Sequence, residues 1–405
     1  MTSSLLMRNR NYRLLLTAGS MTNLGDGMVA LALPWLASLI TREPLAIASV
    51  AAAGRLPWLF FSIPAGVIVD RTDRRMLIVR ADLFRAATVF AILLLALSEP
   101  AAGTIWVLTG LAFVLGSAEV LRDNAAQTIL PSIVAQSDLE AANGQMWSAE
   151  QLTGQFIGPP LAGVLIAIGI GLPFGLDVAA LVLAAGLIWL ITAQPHQPSR
   201  ARFFSALTEG VSYMRSDPML LRLAIVLGVA NFLATATITV QILFAQDVLD
   251  LSAVAYGYAL SVQALGAIVG SLSAPYLIAK LGIHRCLFLS IGIWAIGYAT
   301  VGLSSSVFPM ATALFAVIAA AMVWNVITVS WRQRRIPPAL LGRVNSIYRF
   351  FGWGSMPLGA LAGGFVVWLI EDSAGREIAL RAPFLMAAVC CAALFAYAVS
   401  HLRLD

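Results

Sequence analysis

Charged residues are scarce in this sequence. Only 11% of its 405 residues are Asp, Glu, Lys or Arg, whereas 60% are hydrophobic and the mean hydropathy is +0.87. A soluble domain of this length needs much more polar surface to remain in water. The composition therefore excludes a soluble globular protein and predicts an integral membrane protein.

Lysine, cysteine and histidine are nearly absent, and each absence disfavours a class of function. Lys280 is the only lysine and follows no glycine-rich phosphate loop, which disfavours an ATP-driven pump. The three cysteines lie in or beside apolar stretches, so neither a disulfide framework nor a metal cage is expected. The three histidines lie at predicted cytoplasmic links and form no ligand cluster. We therefore expect no bound metal, no cofactor and no enzymatic activity.

The apolar residues fall into stretches long enough to cross a bilayer as helices. A window of about 19 residues predicts an all-α protein with twelve transmembrane helices. The predicted spans cover roughly residues 14–40, 46–69, 76–98, 104–129, 143–168, 173–193, 219–245, 253–279, 286–304, 307–330, 344–370 and 382–401.

Arginines concentrate in every second link between the predicted spans. This asymmetry places both termini in the cytoplasm of a multi-pass protein of the inner or plasma membrane, and headgroup contacts explain the net charge of +5 better than nucleic acid does. The longest link, residues 194–218, divides an N-terminal six-helix bundle (1–193) from a C-terminal one (219–405). Weak sequence echoes between the halves predict two pseudo-symmetric bundles.

The link between the second and third spans carries a specific pattern. Residues 66–75 read Gly-Val-Ile-Val-Asp-Arg-Thr-Asp-Arg-Arg, which resembles the loop between helices two and three of the major facilitator superfamily, except that Asp73 replaces a customary glycine. The resemblance implies that Gly66 admits a neighbouring helix and that Asp70 meets a helix N-terminus of the other half. The basic residues would hold the gating loop at the cytoplasmic surface: Arg71, Arg74 and Arg75. The alternative is a plain positively charged loop without a gating role.

The fifth span contains small residues around a proline pair. Gly154, Gly158 and Gly163 flank Pro159 and Pro160, so this helix can pack closely and kink where the prolines free its backbone. The pattern resembles the fifth-helix motif of proton-coupled exporters of the superfamily. Here too an alternative stays open, namely an ordinary packing face.

Charges inside the spans are costly unless they are paired or line water, at about 2.5 to 3.5 kcal/mol each. At 1.5 Å per residue, Asp26 and Arg55 lie at a similar depth of about 20 Å, and Glu119 about 18 Å, from the predicted cytoplasmic ends. We interpret them as a central layer for proton coupling or substrate, in which Arg55 is a candidate partner of Asp26. A second, cytoplasmic layer is interpreted as a structural charge network: Asp82, Arg85, Arg122, Asp123 and Glu150.

The second half offers only neutral polar side chains within its spans. They are Asn231, Thr235, Thr237, Thr239, Gln241, Gln263, Asn325 and Thr328. Most tryptophans are expected to anchor or pack, although a few could line a site for an amphiphile: Trp35, Trp58 and Trp324.

The motifs together extend the resemblance over nearly the whole chain. Residues 23–26, 66–75, 81–86, 139–143 and 158–159 resemble the drug/proton antiporter branch of the major facilitator superfamily, which includes macrolide and multidrug exporters and the enterobactin exporter. The resemblance implies a monomeric secondary transporter that exports an amphiphilic small molecule in exchange for protons. Its partners would be that substrate, protons and lipid, but no nucleic acid. An uptake symporter and a non-transporting receptor or assembly protein are the alternatives.

Overall fold

The computed structural model describes residues 5–99, 101, 103–135, 138–192, 211–336, 344, 347–348 and 350–402. Within them the long elements are all helical. They are α1 (Arg10–Ile40), α2 (Pro44–Arg71), α3 (Arg74–Leu97), α4 (Thr104–Ile129), α5 in three consecutive parts (Leu139–Glu150, Gln151–Ile157 and Gly158–Ile168), α6 (Leu172–Trp189), α7 (Pro218–Asp247), α8 (Ala253–Leu281), α9 (Ile283–Leu303), α10 (Val307–Arg335), α11 (Met356–Ala374) and α12 (Arg376–His401).

Eleven of the described helices are long and apolar enough to cross a membrane. The remaining long helix is α3, whose 24 residues extend about 36 Å, more than the hydrocarbon thickness of a bilayer. Its hydropathy is lowered by five charged residues: Arg74, Arg75, Arg80, Asp82 and Arg85. The predicted all-α membrane architecture is confirmed, and the helix that departs most from an apolar composition carries much of the candidate site.

Several helix ends have a local cause in the sequence. Asn9, Asp73 and Asp217 precede α1, α3 and α7, and each side chain accepts a hydrogen bond from a backbone N–H of the first turn. Gly282 and Gly375 separate consecutive helices with φ of 82° and 84°, a conformation that glycine adopts without strain. Short links of this kind make the helices they join neighbours.

The chain forms two compact units. The first comprises Met1–Arg42, Ala53–Arg200 and Ser252–Ser261, and the second comprises Glu43–Ala52, Ala201–Leu251 and Val262–Asp405. Helices α2 and α8 therefore contribute to both. Residues 194–210 of the predicted linker lie outside the described part, and the predicted bundle boundaries stay a prediction.

Each unit is built on close helix pairs. In the first unit α6 packs against α1 and α3, and α3 also packs against α4. In the second unit α9 packs against α10 and α12, while α7 packs against α11. A Cβ on Gly363 would lie 2.1 Å from the carbonyl oxygen of Ala236, so the backbones of α7 and α11 touch there. Small residues thus set the helix spacing, as is usual in membrane bundles.

Candidate functional site

The site lies around the middle of α1, where this helix crosses α5. A Cβ on Gly27 would lie 2.0 Å from the carbonyl oxygen of Gly154, and one on Gly158 would lie 2.7 Å from the Cα of Gly27. Residues without side chains are therefore required on both helices. The crossing fixes the position of Asp26, which stands beside Gly27 in the sequence.

Asp26 forms an ion pair with Arg85 of α3. The Arg85 side chain is 1% exposed, whereas that of Asp26 is 36% exposed. The sequence interpretation, which made Arg55 the candidate partner of Asp26, was wrong on this point. Equal depth along two helices does not give the direction in which their side chains point, and α3 rather than α2 presents its cation to Asp26.

The ion pair continues into a network that joins α1, α3 and α4. Arg85 Nη1 lies 3.7 Å from Asp82 Oδ1, and Arg122 Nε lies 3.5 Å from the same oxygen. Arg122 also lies 3.2 Å from Asp123 and donates a 2.6 Å hydrogen bond to Thr22 Oγ1. The predicted separation into a central and a cytoplasmic layer is therefore wrong, because Arg85 connects both.

Glu119 and Arg55 interact electrostatically with each other, at the contact of α2 with α4. A Cβ on Gly116 would lie 2.2 Å from the carbonyl oxygen of Gly54, so these two helix backbones touch one residue before Arg55 and one turn before Glu119. Glu119 also acts electrostatically on Arg85. It thus links the Arg55 side of the unit to the main network.

Glu150 is the predicted network residue that lies furthest from the buried centre. Its side chain is exposed, on the last residue of the first part of α5. Asp123 and Arg122 act on it electrostatically, but no ion pair to it is found among the described residues. Its place is at the edge of the network.

Asp177 of α6 is a buried acid that the sequence interpretation missed. It is 1% exposed, and its Oδ1 has no hydrogen-bond partner among the described residues. Asp26, Arg85 and Asp82 all act on it electrostatically. A signal existed in the sequence, because Asp177 is the only charged residue between Glu150 and Arg200.

The arginines of the Gly66–Arg75 loop bind the ends of neighbouring helices. Arg74 donates a 2.8 Å hydrogen bond to the carbonyl of Thr128 near the end of α4, and Arg75 a 2.9 Å bond to that of Ile191 beyond α6. Both positions suit a cation, since carbonyl groups are unpaired at helix C-termini. For Gly66, Asp70 and Arg71 only the backbone is described, and their side-chain surroundings lie outside the described part.

The fifth-span motif lies where α5 changes its winding. Residues 151–157 form a π-helical segment, directly before Gly158 and the two prolines that lack a backbone donor. Beyond them, a Cβ on Gly163 would lie 2.5 Å from the carbonyl oxygen of Ala253, while Pro159 lies against Gly257. The motif residues Gly154, Gly158, Pro159 and Gly163 thus lie at close helix contacts.

The middle of the second unit is neutral. Among its described residues, the predicted polar groups Thr235, Thr237, Thr239, Gln241, Gln263 and Thr328 are buried. Asn231 donates a 3.0 Å bond to the carbonyl of Gly352, and Asn325 is exposed. Trp324 is buried against Trp294, with ring centroids 5.6 Å apart. Of the other predicted aromatic residues, Trp35 lies 6.5 Å from the ring of Tyr256 and Trp58 is half-buried.

Most of the described helices are long and apolar enough to span a membrane, and a buried charge network lies in the first unit whereas neutral polar groups lie in the middle of the second. Solved structures share this fold. The structure resembles the nucleoside transporter NupG with a TM-score of 0.71 at 13% identity, covering 97% of this chain and 100% of that chain. It also resembles a bacterial homologue of the iron transporter ferroportin, in an inward-facing state, with a TM-score of 0.73 at 16% identity over 98% and 99% of the two chains. At these identities the likeness shows the fold.

The chain belongs to the transmembrane secretion effector family of the major facilitator superfamily, whose family model matches residues 2–403. It is similar to the multidrug efflux pump Tap of Mycobacterium tuberculosis, with 29% identity over 98% of this chain and 96% of that protein. Macrolide efflux protein A of Enterococcus faecalis is 23% identical over 77% of this chain and 98% of its own length. The family and these relatives are transporters and not enzymes, and this chain is a multi-pass membrane transporter.

Proposed function

We propose that this transporter exports an amphiphilic small molecule in exchange for protons. The names of its relatives, a multidrug efflux pump and a macrolide efflux protein, support export and an amphiphilic substrate. The observation that carries proton coupling is the asymmetry of one ion pair: Asp26 is partly open, whereas Arg85 is buried. A proton or a substrate can therefore reach the acid without first reaching its partner.

The protonation of Asp26 and the pairing of Arg85 depend on each other. While Asp26 is ionised, it neutralises the buried guanidinium of Arg85. When Asp26 takes a proton, Arg85 loses that partner, and an uncompensated buried charge costs about 3 to 5 kcal/mol. Arg85 must then find another acid or the helices must rearrange. Proton binding at Asp26 thus drives a conformational change, and a cationic group of the substrate would compete with the proton for the same carboxylate.

The surrounding residues have assigned roles in this proposal. Glu119 and Arg55 extend the coupling network across the contact of α2 with α4. The loop formed by Gly66, Asp70, Arg71, Arg74 and Arg75 acts as the cytoplasmic gate, and the packing of Arg74 and Arg75 on the ends of α4 and α6 supports movement of these helices as one body. The π-helical segment of α5 supplies a place for bending.

The remaining features of the proposal follow the arginine distribution and the relatives. Both termini face the cytoplasm, the protein lies in the inner or plasma membrane, and it works as a monomer in contact with lipid. Exchange occurs as the two bundles alternate their access to the two sides. Uptake symport and a non-transporting receptor are the competing functions.

Inside-out membrane vesicles with an imposed pH gradient test the proposal directly. The wild type should accumulate ethidium, an amphiphilic cation, only while the gradient is present. Asp26→Asn should abolish this accumulation and weaken ethidium binding, because the amide keeps the shape of the site but loses the titratable oxygen and the negative charge that pairs with the cation. Glu99→Gln, which alters an acid in the link between α3 and α4, should behave as wild type.

Three results would contradict the proposal. Gradient-driven accumulation by Asp26→Asn at equal expression would remove Asp26 from coupling. Ethidium movement out of the same inside-out vesicles would indicate uptake. Binding without any movement by the wild type would indicate a receptor.

A further inference from the structure

Asp177 has no role in the exchange described so far, although burial of its carboxyl group costs free energy. It lies in the first half of α6, and its Oδ1 has no hydrogen-bond partner among the described residues. A Cβ built on Gly25 would lie 1.8 Å from this oxygen, so the carboxyl group rests directly on the backbone of α1, one residue before Asp26. An ionised carboxyl group without a partner is not tolerated in such a place unless a cation is brought to it.

Arg85 has unused capacity to donate hydrogen bonds. One Nη atom serves Asp26, while the buried Nε and Nη1 atoms have no hydrogen-bond partner among the described residues. Asp82 lies at ion-pair distance from Nη1 but beyond hydrogen-bonding distance, at 3.7 Å. Asp177 acts on this guanidinium electrostatically. Buried polar atoms of this cluster thus lack hydrogen-bond partners among the described residues, and they are Asp177 Oδ1, both carboxylate oxygens of Asp82, Arg85 Nε and Nη1, and Arg122 Nε.

The groups that surround Asp177 are few. Helix α1 presents Asp26, and α3 presents Arg85 and Asp82. The part of α5 that packs on α6, Gly158–Ile168, contains no titratable residue. Glu119 also acts on Arg85, but it interacts with Arg55 as well, and Asp82 is shared with Arg122. Asp26 and Asp177 are therefore the acids near Arg85 for which no second cationic partner is found among the described residues.

We propose that Asp177 is a second proton-carrying acid, which receives Arg85 when a cationic substrate occupies Asp26. This inference rests on the proposed exchange function and adds the residue from which the proton leaves. In the starting state Asp26 is ionised and paired with Arg85, and Asp177 holds a proton. After the exchange, the substrate cation is paired with Asp26, Arg85 is paired with ionised Asp177, and one proton has been released.

The charges balance at each stage. Before the exchange one cationic and one anionic side chain and a neutral acid are present, so the cluster is neutral and the substrate carries one positive charge. Afterwards two ion pairs are present, and the positive charge has left as the proton. No buried charge is left without a partner in either state, which is the condition that a low-dielectric interior imposes. After the substrate leaves, a proton from the other side enters at the partly open Asp26 and passes to Asp177 as Arg85 returns to Asp26, which restores the starting state.

Proton release on substrate binding tests this step without any membrane gradient. Tetraphenylphosphonium, a lipophilic cation, is added to the purified full-length protein in weakly buffered detergent, and the pH is followed with an indicator dye. The wild type should release about one proton per bound cation. Asp177→Asn should bind the cation with an affinity within about threefold of the wild type and should release almost none. Glu99→Gln is the control and should release as many protons as the wild type.

A second variant moves the acid without removing it. In Gly25→Ala the new Cβ would overlap Asp177 Oδ1, so the carboxyl group must leave its present position against α1. Proton release per bound cation should fall by about half or more, although the acid is still present. If Asp177→Asn does not fold, Gly25→Ala still tests the role of Asp177, because alanine has a higher helix propensity than glycine.

Two results separate this inference from the proposed function. Undiminished proton release by Asp177→Asn and by Gly25→Ala would overturn the role of Asp177 and leave the proton on Asp26, with exchange itself intact. No proton release by the wild type, together with loss of gradient dependence in vesicles, would overturn the proposed exchange.

Discussion

The two units of the chain place their charges differently. In the first unit Asp82, Arg85, Arg122 and Asp177 are buried along the length of the helices. In the second unit the ion pairs lie at helix ends, where Arg376 contacts Asp247 and Glu371, Arg381 contacts Glu377, and Arg335 contacts Asp217. Between those ends the described polar side chains that we single out are neutral, namely threonine, serine, glutamine and asparagine.

The different placement of charge suggests a different role for each unit. A buried charge network is a costly way to hold helices together, and an apolar equivalent would often be as stable. On the proposed exchange mechanism, the network found among the described residues of the first unit makes this unit the one that responds to charge, whether from a proton or from a cation. The neutral unit can instead contact an amphiphile through indole and amide groups, which carry both apolar surface and donors.

The strongest way to break this comparison is to remove the central cation. Arg85→Gln leaves Asp26 without its ion-pair partner and leaves Asp82 with Arg122 alone, so we expect loss of gradient-driven transport and a loss of about 3 to 5 kcal/mol in the free energy of unfolding. The matched variant is Arg332→Gln in the second unit. Arg332 is also buried, and its guanidinium lies 3.6 Å from the ring centroid of Tyr348.

Chemical unfolding and transport in vesicles check this pair of variants. Arg332→Gln should reduce stability by about 1 to 2 kcal/mol, through the lost contact with the ring, but should keep the pH dependence of transport. A normal pH dependence in Arg85→Gln, or its loss in Arg332→Gln, would mean that the two units do not differ in their response to protons.

The sequence predicts much of the difference between the two units but not which residues of neighbouring helices pair. Composition and spacing predict the helices, and the cost of intramembrane charge identifies most of the network. The pairing of side chains between helices could not be predicted, because the depth of a residue along a helix does not give the direction in which its side chain points around the helix axis. Depth made Arg55 a candidate partner of Asp26, and only the structure shows that Arg85 of α3 forms the ion pair.

Two further residues have roles that the sequence patterns did not predict. Asp73 departs from the loop pattern as a replacement for glycine, yet its carboxylate accepts a hydrogen bond from the N–H of Met76 and caps α3. Asp177 stands alone in a long apolar stretch, and such an isolated charge is easily overlooked when attention follows clusters. The role of Asp73 is local to its own helix, whereas that of Asp177 becomes intelligible only when the neighbouring helices are known.

A smaller effect is expected from the helix contact that supports the network. In Gly27→Ala the added Cβ would lie 2.0 Å from a backbone oxygen of α5, which cannot move as a side chain can. We expect a loss of about 1 to 3 kcal/mol in the free energy of unfolding and slower transport, with the pH dependence retained. Gly19→Ala, on the same helix, meets nothing within 4 Å and should be at least as stable as the wild type.

Thermal unfolding of both variants in detergent gives the measurement. Equal stability of the two would show that the crossing of α1 and α5 adapts freely, in which case Asp26 is not held by backbone contact. The comparison between units would then rest on charge alone and not on the rigidity of the first unit.

The smallest expected effect concerns substrate recognition in the neutral unit. Gln263 is buried, and its Nε2 has no hydrogen-bond partner among the described residues, so a substrate with oxygen acceptors can satisfy it. Gln263→Leu should slow the transport of erythromycin, which is rich in acceptors, by about fivefold, the equivalent of ~1 kcal/mol. Transport of tetraphenylphosphonium, which has no acceptor, should be unchanged. Thr300→Val, at a half-buried position of α9, should affect neither substrate. Equal slowing of both substrates by Gln263→Leu would instead assign this glutamine to packing or to the coupling step. The proposed division between a first unit that responds to charge and a neutral unit that contacts the amphiphile would then no longer hold.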